Sequence, residues 1–528
     1  MAFTQMNFLM FITLVVLVYF IVPLRTRWVV LLLGSLTFYY LNSGYLLLVL
    51  LASIVFTFVI GIVIQNINDK GKAQLSNLGK EASRAEKQTL KLATKKRARL
   101  VVTLGICVNL GALLYLKYFN FFVDISNGTL GTSFPIRKIV LPLGISFYTL
   151  QAIAYIVDVY RGKVTADRHL AKFALFLSYF PQIVQGPIPR YKQLASQLYE
   201  GHEFDYRRLC HGAQLILWGF FLKLVIADRL AVPVNTLFVD WKLYHGLLMF
   251  VSAVFYGLQV YADFSGGVNI ARGFSQIVGI DLEQNFRQPY NSRSIEEFWR
   301  RWHITLGAWM KDYVFYPLSL SKLFVEIGRK SRNILGNYAG KRLPPIMAMF
   351  IVYFLVGFWH GPDWKFIVYG IWNGIFITLG ILLGEQYTRL ATKLGFDQQS
   401  MGWRTFQIVR TFIICSFGRF FSRGESLEAA FGMINQFFHG WCDITWLFDG
   451  TLTSLGLERP DWLILACAIA VLFWIDSLHE RGISIRNTID EQHVVFRWFV
   501  YCIAFLAVVI FGVWGSSYDA SAFIYGQL

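Results

Sequence analysis

Two histidines in the second half of the chain, His303 and His360, stand where an imidazole could carry chemistry. His303 lies in Ser294-Ile-Glu-Glu-Phe-Trp-Arg-Arg-Trp-His303-Ile-Thr-Leu, and His360 closes an apolar run ending Gly357-Phe-Trp-His360-Gly-Pro362. An imidazole titrates near neutrality, so it can take a proton from a hydroxyl and return it to a leaving group. Around His303 the chain places Arg287, Arg293, Arg300, Arg301 and Lys311, a cation cluster suited to a polyanionic ligand whose phosphates guanidinium groups grip with paired donors. Membrane topology alone would also place cations beside a span, so both readings of the cluster stand. Metal chemistry is disfavoured, because the nine histidines include no close pair with adjacent carboxylates at ligand spacing and no Cys-x-x-Cys occurs.

The elements that must position these groups follow from periodicity. On a helix over 295–310, Trp299, Trp302, Leu306 and Met310 share one face by their three- and four-residue spacing, and His303 falls among them. Glu296 and Glu297 each precede Arg300 and Arg301 by four, the order that supports a helix surface. The expectation is a titratable ring on an aromatic face. For His360, the apolar run over 345–359 spans only about 22 Å at helical rise against a hydrocarbon core of about 30 Å. Gly361-Pro362 then blocks continuation and apolar sequence resumes at Trp364, which predicts an interrupted passage with His360 at the break, lining a cavity. The alternative for each ring is simple packing; the expense of burying an ionisable group without a role favours function.

The whole chain fits a membrane setting. Its 528 residues are 55% hydrophobic and 17% aromatic, with mean hydropathy +0.49, far too apolar for an ordinary soluble domain. The net charge of +17 concentrates between spans, where positive-inside topology and anionic membrane lipid account for it, and no nucleic acid is required. Six cysteines scattered singly imply no disulfide framework. Spans are expected near 7–22, 28–41, 44–64, 101–122, 139–160, 213–226, 247–261, 364–383, 404–421, 462–475 and 495–514. A re-entrant segment is expected over 171–188, broken by Pro181, Gly186 and Pro187, and an interfacial helix over 427–438. Gly266 and Gly267, beside Asp263 and Ser265, point to irregular backbone there. The fold class is an all-α polytopic membrane protein of about eleven transmembrane helices plus re-entrant and interfacial helices around a central cavity. It is a single integral domain over 1–528 with its catalytic core over 263–374.

Specific motifs then bear on function. Tyr261-Ala-Asp263-Phe-Ser265-Gly-Gly267, Asn285-Phe-Arg-Gln-Pro-Tyr-Asn-Ser-Arg293, the segment through His303, Asp312-Tyr and Trp359-His360-Gly resemble the membrane-bound O-acyltransferase superfamily, in its bacterial polysaccharide O-acetylation branch. Leu141-Pro-Leu-Gly-Ile-Ser-Phe-Tyr-Thr-Leu-Gln151, Tyr179-Phe-Pro-Gln-Ile-Val-Gln-Gly186 and the closing Ala522-Phe-Ile-Tyr525 extend the likeness over most of the chain. By the resemblance His360 matches the superfamily's near-invariant histidine and His303 its second functional position. Gly267-Val-Asn-Ile departs from the Tyr-Ser-Asp-Met-like run of alginate-type members, which leaves alginate itself open as acceptor. The resemblance implies an O-acetyltransferase of the bacterial inner or plasma membrane that takes acetyl from cytoplasmic acetyl-CoA. It also implies no permanently bound cofactor, a polysaccharide as final acceptor, and a partner, either an extracytoplasmic acetyltransferase or an acceptor protein. The competing readings are a teichoic acid D-alanyl transferase fed by a carrier-protein thioester and, in another class, a secondary transporter or lipid flippase. Transport predicts inverted repeats, and none is visible.

Orientation can be tested directly. The interval 65–100 carries ten Lys and Arg against Asp69, Glu81 and Glu86, a balance of +7, which places this basic loop in the cytoplasm. A Lys87→Cys variant should resist an impermeant thiol reagent in whole cells, and labelling without permeabilisation would reverse the orientation of the first spans.

Overall fold

The computed structural model describes residues 3–78 and 82–514, so Lys80, Glu81 and the closing Ala522-Phe-Ile-Tyr525 lie outside the described residues. Among the described residues the secondary structure is helical, with one isolated antiparallel bridge between Phe286 and Trp302. Among the described residues seven helical stretches are long and apolar enough to cross a membrane; the first of them, Leu24–Asn77, folds as two helices. Two shorter apolar helices, Met6–Ile21 and Ile145–Tyr160, add to these. The protein is therefore an all-α, multi-pass membrane protein.

Contacts divide the chain into two compact units, 1–212 with 274–283, and 213–273 with 284–528. The first holds α1 (Met6–Ile21), α2 (Arg27–Ser43), α3 (Leu47–Asn77), α4 (Arg84–Leu130), α5 (Ile145–Tyr160), α6 (Leu170–Ser178), α7 (Phe180–Gln185) and α8 (Tyr191–Tyr199). The interval 65–100, read as a basic loop or a helix near the membrane face, is helical over most of its described residues. α3 runs on to Asn77, and Ser83 starts α4 with a reciprocal capping box to Glu86, so most of the basic residues ride on the ends of two long helices. The expected re-entrant segment is broken twice, at Tyr179 between α6 and α7, two residues before Pro181, and again at Gly186, where α7 ends. The amide of Phe180, freed by the first break, is satisfied by Ser35 Oγ at 3.2 Å. Phe8, Phe38 and Phe180 pack ring against ring to hold this corner.

The second unit takes up the chain within α9 (Tyr206–Phe220), which continues through a π-turn over 221–227 into α10 (Asp228–Val239), and most of α11 (Leu247–Ile277) belongs to it. There follow α12 (Ile295–Arg301), α13 (Ile304–Met310), α14 (Tyr316–Ser319), α15 (Lys322–His360), α16 (Trp364–Lys393), α17 (Met401–Arg423), α18 (Leu427–Phe438), α19 (Thr451–Ser454), α20 (Arg459–Glu480), α21 (Ile485–Asp490) and α22 (Val494–Phe511). Two expectations are corrected. The backbone does not become irregular at Gly266-Gly267, because α11 runs straight through. Gly266 instead lets α11 approach α9: a Cβ there would lie 2.9 Å from the Gly219 carbonyl oxygen. Beside that contact, Lys223 Nζ reaches Asp263 Oδ1 at 2.7 Å and Asp228 Oδ1 at 2.8 Å, all nearly buried, so the π-turn and α11 are tied by charge as well as by packing.

The second correction concerns the helix that carries His360. The apolar run over 345–359 is only the end of α15, whose sole non-helical residue is Gly336 at φ 74°. Pro344 and Pro345 are accommodated inside it, so the helix begins upstream among Asn337 to Leu343, a stretch that Asn337, Lys341 and Arg342 remove from a count of apolar sequence. A helix over 337–360 extends about 36 Å, enough to span. The break after His360 is as expected, with Gly361 extended and Asp363 capping α16 through Lys365 N. α15 and α16 form a tight hairpin. A Cβ on Gly357 would sit 2.3 Å from the Phe366 carbonyl oxygen, and one on Gly370 would sit 2.3 Å from that of Tyr353.

Because rigid backbone faces Gly357, Gly357→Ala should destabilise the protein by about 1–3 kcal/mol. Gly111→Ala, in open space on α4, should leave stability unchanged or raise it by up to about 1 kcal/mol. Thermal unfolding in detergent measures both, and equal behaviour of the two variants would deny the close hairpin its role.

Candidate active site

The site is built around a broken helix. Ser294 caps α12 by accepting from Glu297 N at 3.1 Å, but the helix ends after Arg301. Trp302 is extended, and His303 takes the left-handed conformation at φ 46°, ψ 52° before α13 starts. A single helix over 295–310 is therefore not what forms. A non-glycine residue in this region costs roughly 1–3 kcal/mol and persists only where its surroundings over-determine it. Here the segment 285–287 does so. Arg287 N donates to Arg301 O at 2.9 Å and Ile304 N to Asn285 O at 3.0 Å, while Asn285 Oδ1 accepts from Thr305 N at 3.0 Å and Thr305 Oγ1 at 2.8 Å. Trp299, Trp302, Leu306 and Met310 are all buried even so, because the two half-helices keep their apolar faces inward across the break.

The break aims His303 into an aromatic enclosure. The ring is 1% exposed and packs edge-on against Phe264 at 4.9 Å and near Trp359 at 5.8 Å. Burial, and next the neighbouring His360, hold its pKa well below the ordinary histidine value. It is thus a neutral imidazole at neutral pH. His360, 6% exposed, ends α15 with its ring 5.2 Å from Trp359 and 6.0 Å from Tyr369. Trp299 Nε1 donates to Asn373 Oδ1 at 3.0 Å, and Asn373 Nδ2 donates to Tyr369 O at 2.8 Å, which locks α12 onto α16. Two imidazoles on separate elements therefore flank one indole, Trp359, inside a wall of aromatic side chains. Such an enclosure can move a proton at a reacting hydroxyl and shield an activated carbonyl from water.

Next to it lies a cavity of about 320 Å³, at the lower end of ligand pockets of about 300–1,000 Å³. Arg272, Arg287 and Arg486 line it, with His479, Asp476 and Asn285. Asn285 is fully buried; its Oδ1 is taken by Thr305, and its Nδ2 donor has no acceptor among the described residues. Apart from Asp476, this lining is rich in hydrogen-bond donors and positive charge.

Of the five cations that the sequence gathers near His303, Arg287 lines this cavity and Arg293, Arg300, Arg301 and Lys311 do not. Arg301 is committed to carboxylates, with Glu480 at 2.6 and 2.9 Å and Glu297 at 2.7 Å. Those bonds, Glu480 first, raise its already high pKa. Arg300 is exposed and faces Glu296 at 3.4 Å. Arg293 accepts Arg410 Nη2 at its carbonyl and, with Arg287, lies within the electrostatic reach of Glu480. Lys311 is exposed over the Tyr316 ring. Of the cavity arginines, Arg287 sits inside a recognisable motif. Arg272 and Arg486 carry no such signal, because their approach depends on α11 and α21 meeting in space.

Fold and site together describe a multi-pass membrane protein with two buried histidines in a shielded aromatic enclosure. The sequence profile of the membrane-bound O-acyltransferase family matches residues 164–339. The chain is 32% identical over 389 residues to the probable alginate O-acetylase AlgI of Azotobacter vinelandii, covering 72% of this chain and 71% of that protein. It is 30% identical over 359 residues to the peptidoglycan O-acetyltransferase of Helicobacter pylori, covering 63% of each. It is 29% identical over 266 residues to the teichoic acid D-alanyltransferase of Streptococcus thermophilus, covering 49% of this chain and 60% of that protein. The chain belongs to the membrane-bound O-acyltransferase family.

If Arg301 serves to tie α12 to α20, Arg301→Ala and Glu480→Ala should show a coupling of about 1–3 kcal/mol in a double-mutant cycle on unfolding without any donor present. Strictly additive losses would free Arg301 for a role in ligand binding.

Proposed function

We propose that the protein moves an acetyl group from cytoplasmic acetyl-CoA through the membrane for O-acetylation of an extracytoplasmic polysaccharide, with a partner protein outside the membrane completing delivery. The observation that carries the reading is the pair of buried imidazoles flanking Trp359 beside an arginine-lined cavity. A thioester is already activated, so the demands on the protein are a base, a shield from water and stabilisation of the oxyanion. His360 takes the proton of the acceptor hydroxyl as its oxygen forms a bond to the thioester carbon and the carbonyl electron pair moves onto oxygen. The pair then returns, the carbon–sulfur bond breaks, and the thiolate leaves with the proton held by His360. His303, kept neutral, orients the thioester carbonyl by hydrogen bonding. Asn285 Nδ2 and the guanidiniums of Arg272, Arg287 and Arg486 receive the phosphates of coenzyme A. This chemistry calls on no permanently bound cofactor. The O-acetylating relative from A. vinelandii matches 72% of the chain and the D-alanyl relative 49%, which favours acetyl over D-alanyl transfer.

His360→Gln keeps hydrogen-bonding capacity but cannot act as a base near neutral pH. It should fold, retain donor affinity and slow acyl transfer by about 10²- to 10⁴-fold. A folded His360→Gln protein with near-parental transfer from labelled acetyl-CoA would remove the base assignment and make His303 the next residue to substitute.

A further inference from the structure

Arg419, near the end of α17, is 4% exposed and lies in the middle of the second unit. Its Nη1 donates to Tyr369 Oη across a long 3.4 Å hydrogen bond, and its guanidinium carbon stands 4.7 Å over the Trp302 ring. Its principal electrostatic neighbours are Tyr369, Tyr290, Cys415 and Tyr256, none of which is anionic at neutral pH. The other two buried cations of this unit are treated differently. Lys223 meets Asp263 and Asp228, and Arg229 meets Asp461 at 3.2 Å. Among the described residues, then, the fold supplies a carboxylate to each buried cation of this unit except Arg419.

That exception has a cost, since a buried charge without an opposite charge is among the most unfavourable arrangements in a protein interior. Phenolic oxygens and an indole face soften it without neutralising it. Its position gives it a use. Trp302 immediately precedes His303, and the Tyr369 ring is 6.0 Å from that of His360, so Arg419 stands directly behind residues that adjoin both imidazoles. Acyl transfer creates negative charge in this enclosure when the carbonyl electron pair moves onto oxygen, and a fixed cation acts strongly where water is excluded.

Resting on the acyl-transfer reading above, we infer that Arg419 is the fixed positive charge that stabilises the oxyanion of the tetrahedral intermediate, acting from behind Trp302 and through the Tyr369 hydroxyl. By donating to Tyr369 Oη, Arg419 polarises that hydroxyl and leaves its proton free to donate onward. Arg419 gives up no proton itself. It is a positioning residue, because Trp302 and Tyr369 stand between it and the enclosure.

The test uses the full-length protein in detergent with acetyl-CoA as donor, a soluble hydroxyl-bearing oligosaccharide as acceptor, and release of free thiol as the readout. Arg419→Met fills a similar volume without charge, so its unfolding temperature should equal or exceed that of the parent. Its kcat should fall by about 10- to 100-fold while the KM for acetyl-CoA changes by less than about threefold. Arg419→Lys should recover a good part of the lost kcat. A lower unfolding temperature with parental kcat per folded molecule would make Arg419 purely structural and overturn the inference. A raised KM at parental kcat would overturn it as well, by making Arg419 a ground-state anion binder. Should Arg419→Met fail to fold, Tyr369→Phe and Arg419→Lys carry the test: their kcat losses must be non-additive in the double variant, and simple additivity is fatal. His360→Gln in the same assay separates the two levels. If it turns over normally, the acyl-transfer reading fails and takes Arg419 with it; if it is inactive while Arg419→Met keeps parental kcat, only the Arg419 inference fails.

Discussion

Much of the second unit depends on one side chain, that of Asn285. Its Oδ1 accepts two hydrogen bonds from Thr305 while its backbone carbonyl takes Ile304 N, and these bonds hold His303 in the left-handed conformation. Without them nothing would oppose the return of 295–310 to a continuous helix, which its periodicity favours. A continuous helix would rotate His303 by a regular step from Trp302. The break sends the two rings in different directions, Trp302 toward Arg419 and His303 toward Phe264 and Trp359. Local strain is thus exchanged for a geometry that no regular element provides.

The same unit manages charge with unusual care for a protein of such apolar composition. Lys223 sits between two carboxylates, Arg229 reaches Asp461 and the Phe511 carbonyl, and Tyr261 donates to Asp476 at 3.0 Å. These contacts join the π-turn and α10 to α11, α20 and α22, elements far apart in sequence, around the cavity that Asp476 and Tyr261 help to line. Glycine supplies the complementary device. Where Gly219 meets Gly266, and Gly357 meets Gly370, backbones touch directly and polar side chains need not fill the space. The enclosure around the histidines can therefore be walled by aromatic rings alone.

The chain by itself settled the large features. Long apolar runs can only be membrane helices, because backbone polar groups in lipid must be satisfied internally, and the runs beginning at Asn7, Trp28 and Leu427 became helices within a residue or two of their expected bounds. The stop at Gly361-Pro362, the break after α6 and the burial of Trp299, Trp302, Leu306 and Met310 were also legible, since proline, glycine and periodicity act locally. Local signals were ambiguous wherever a residue had two uses. Gly266 reads equally as a kink or as a close helix contact, and only the presence of Gly219 across from it decides. The prolines at 344 and 345 read as a boundary, yet the helix they interrupt continues because residues 337–343 upstream extend it.

What the tertiary structure alone decided is which charges meet. Arg301 and Arg287 lie in one motif, but one is spent on Glu480, a residue 179 positions away, and the other faces a cavity completed by Arg272 and Arg486. Arg419 looked like any cation near the end of a span until Trp302 and Tyr369 were seen to close around it. The physical reason is range: hydrophobic period, capping and turn chemistry act within a few residues and can be read along the chain, whereas electrostatic partnership acts through space and exists only once distant helices have packed.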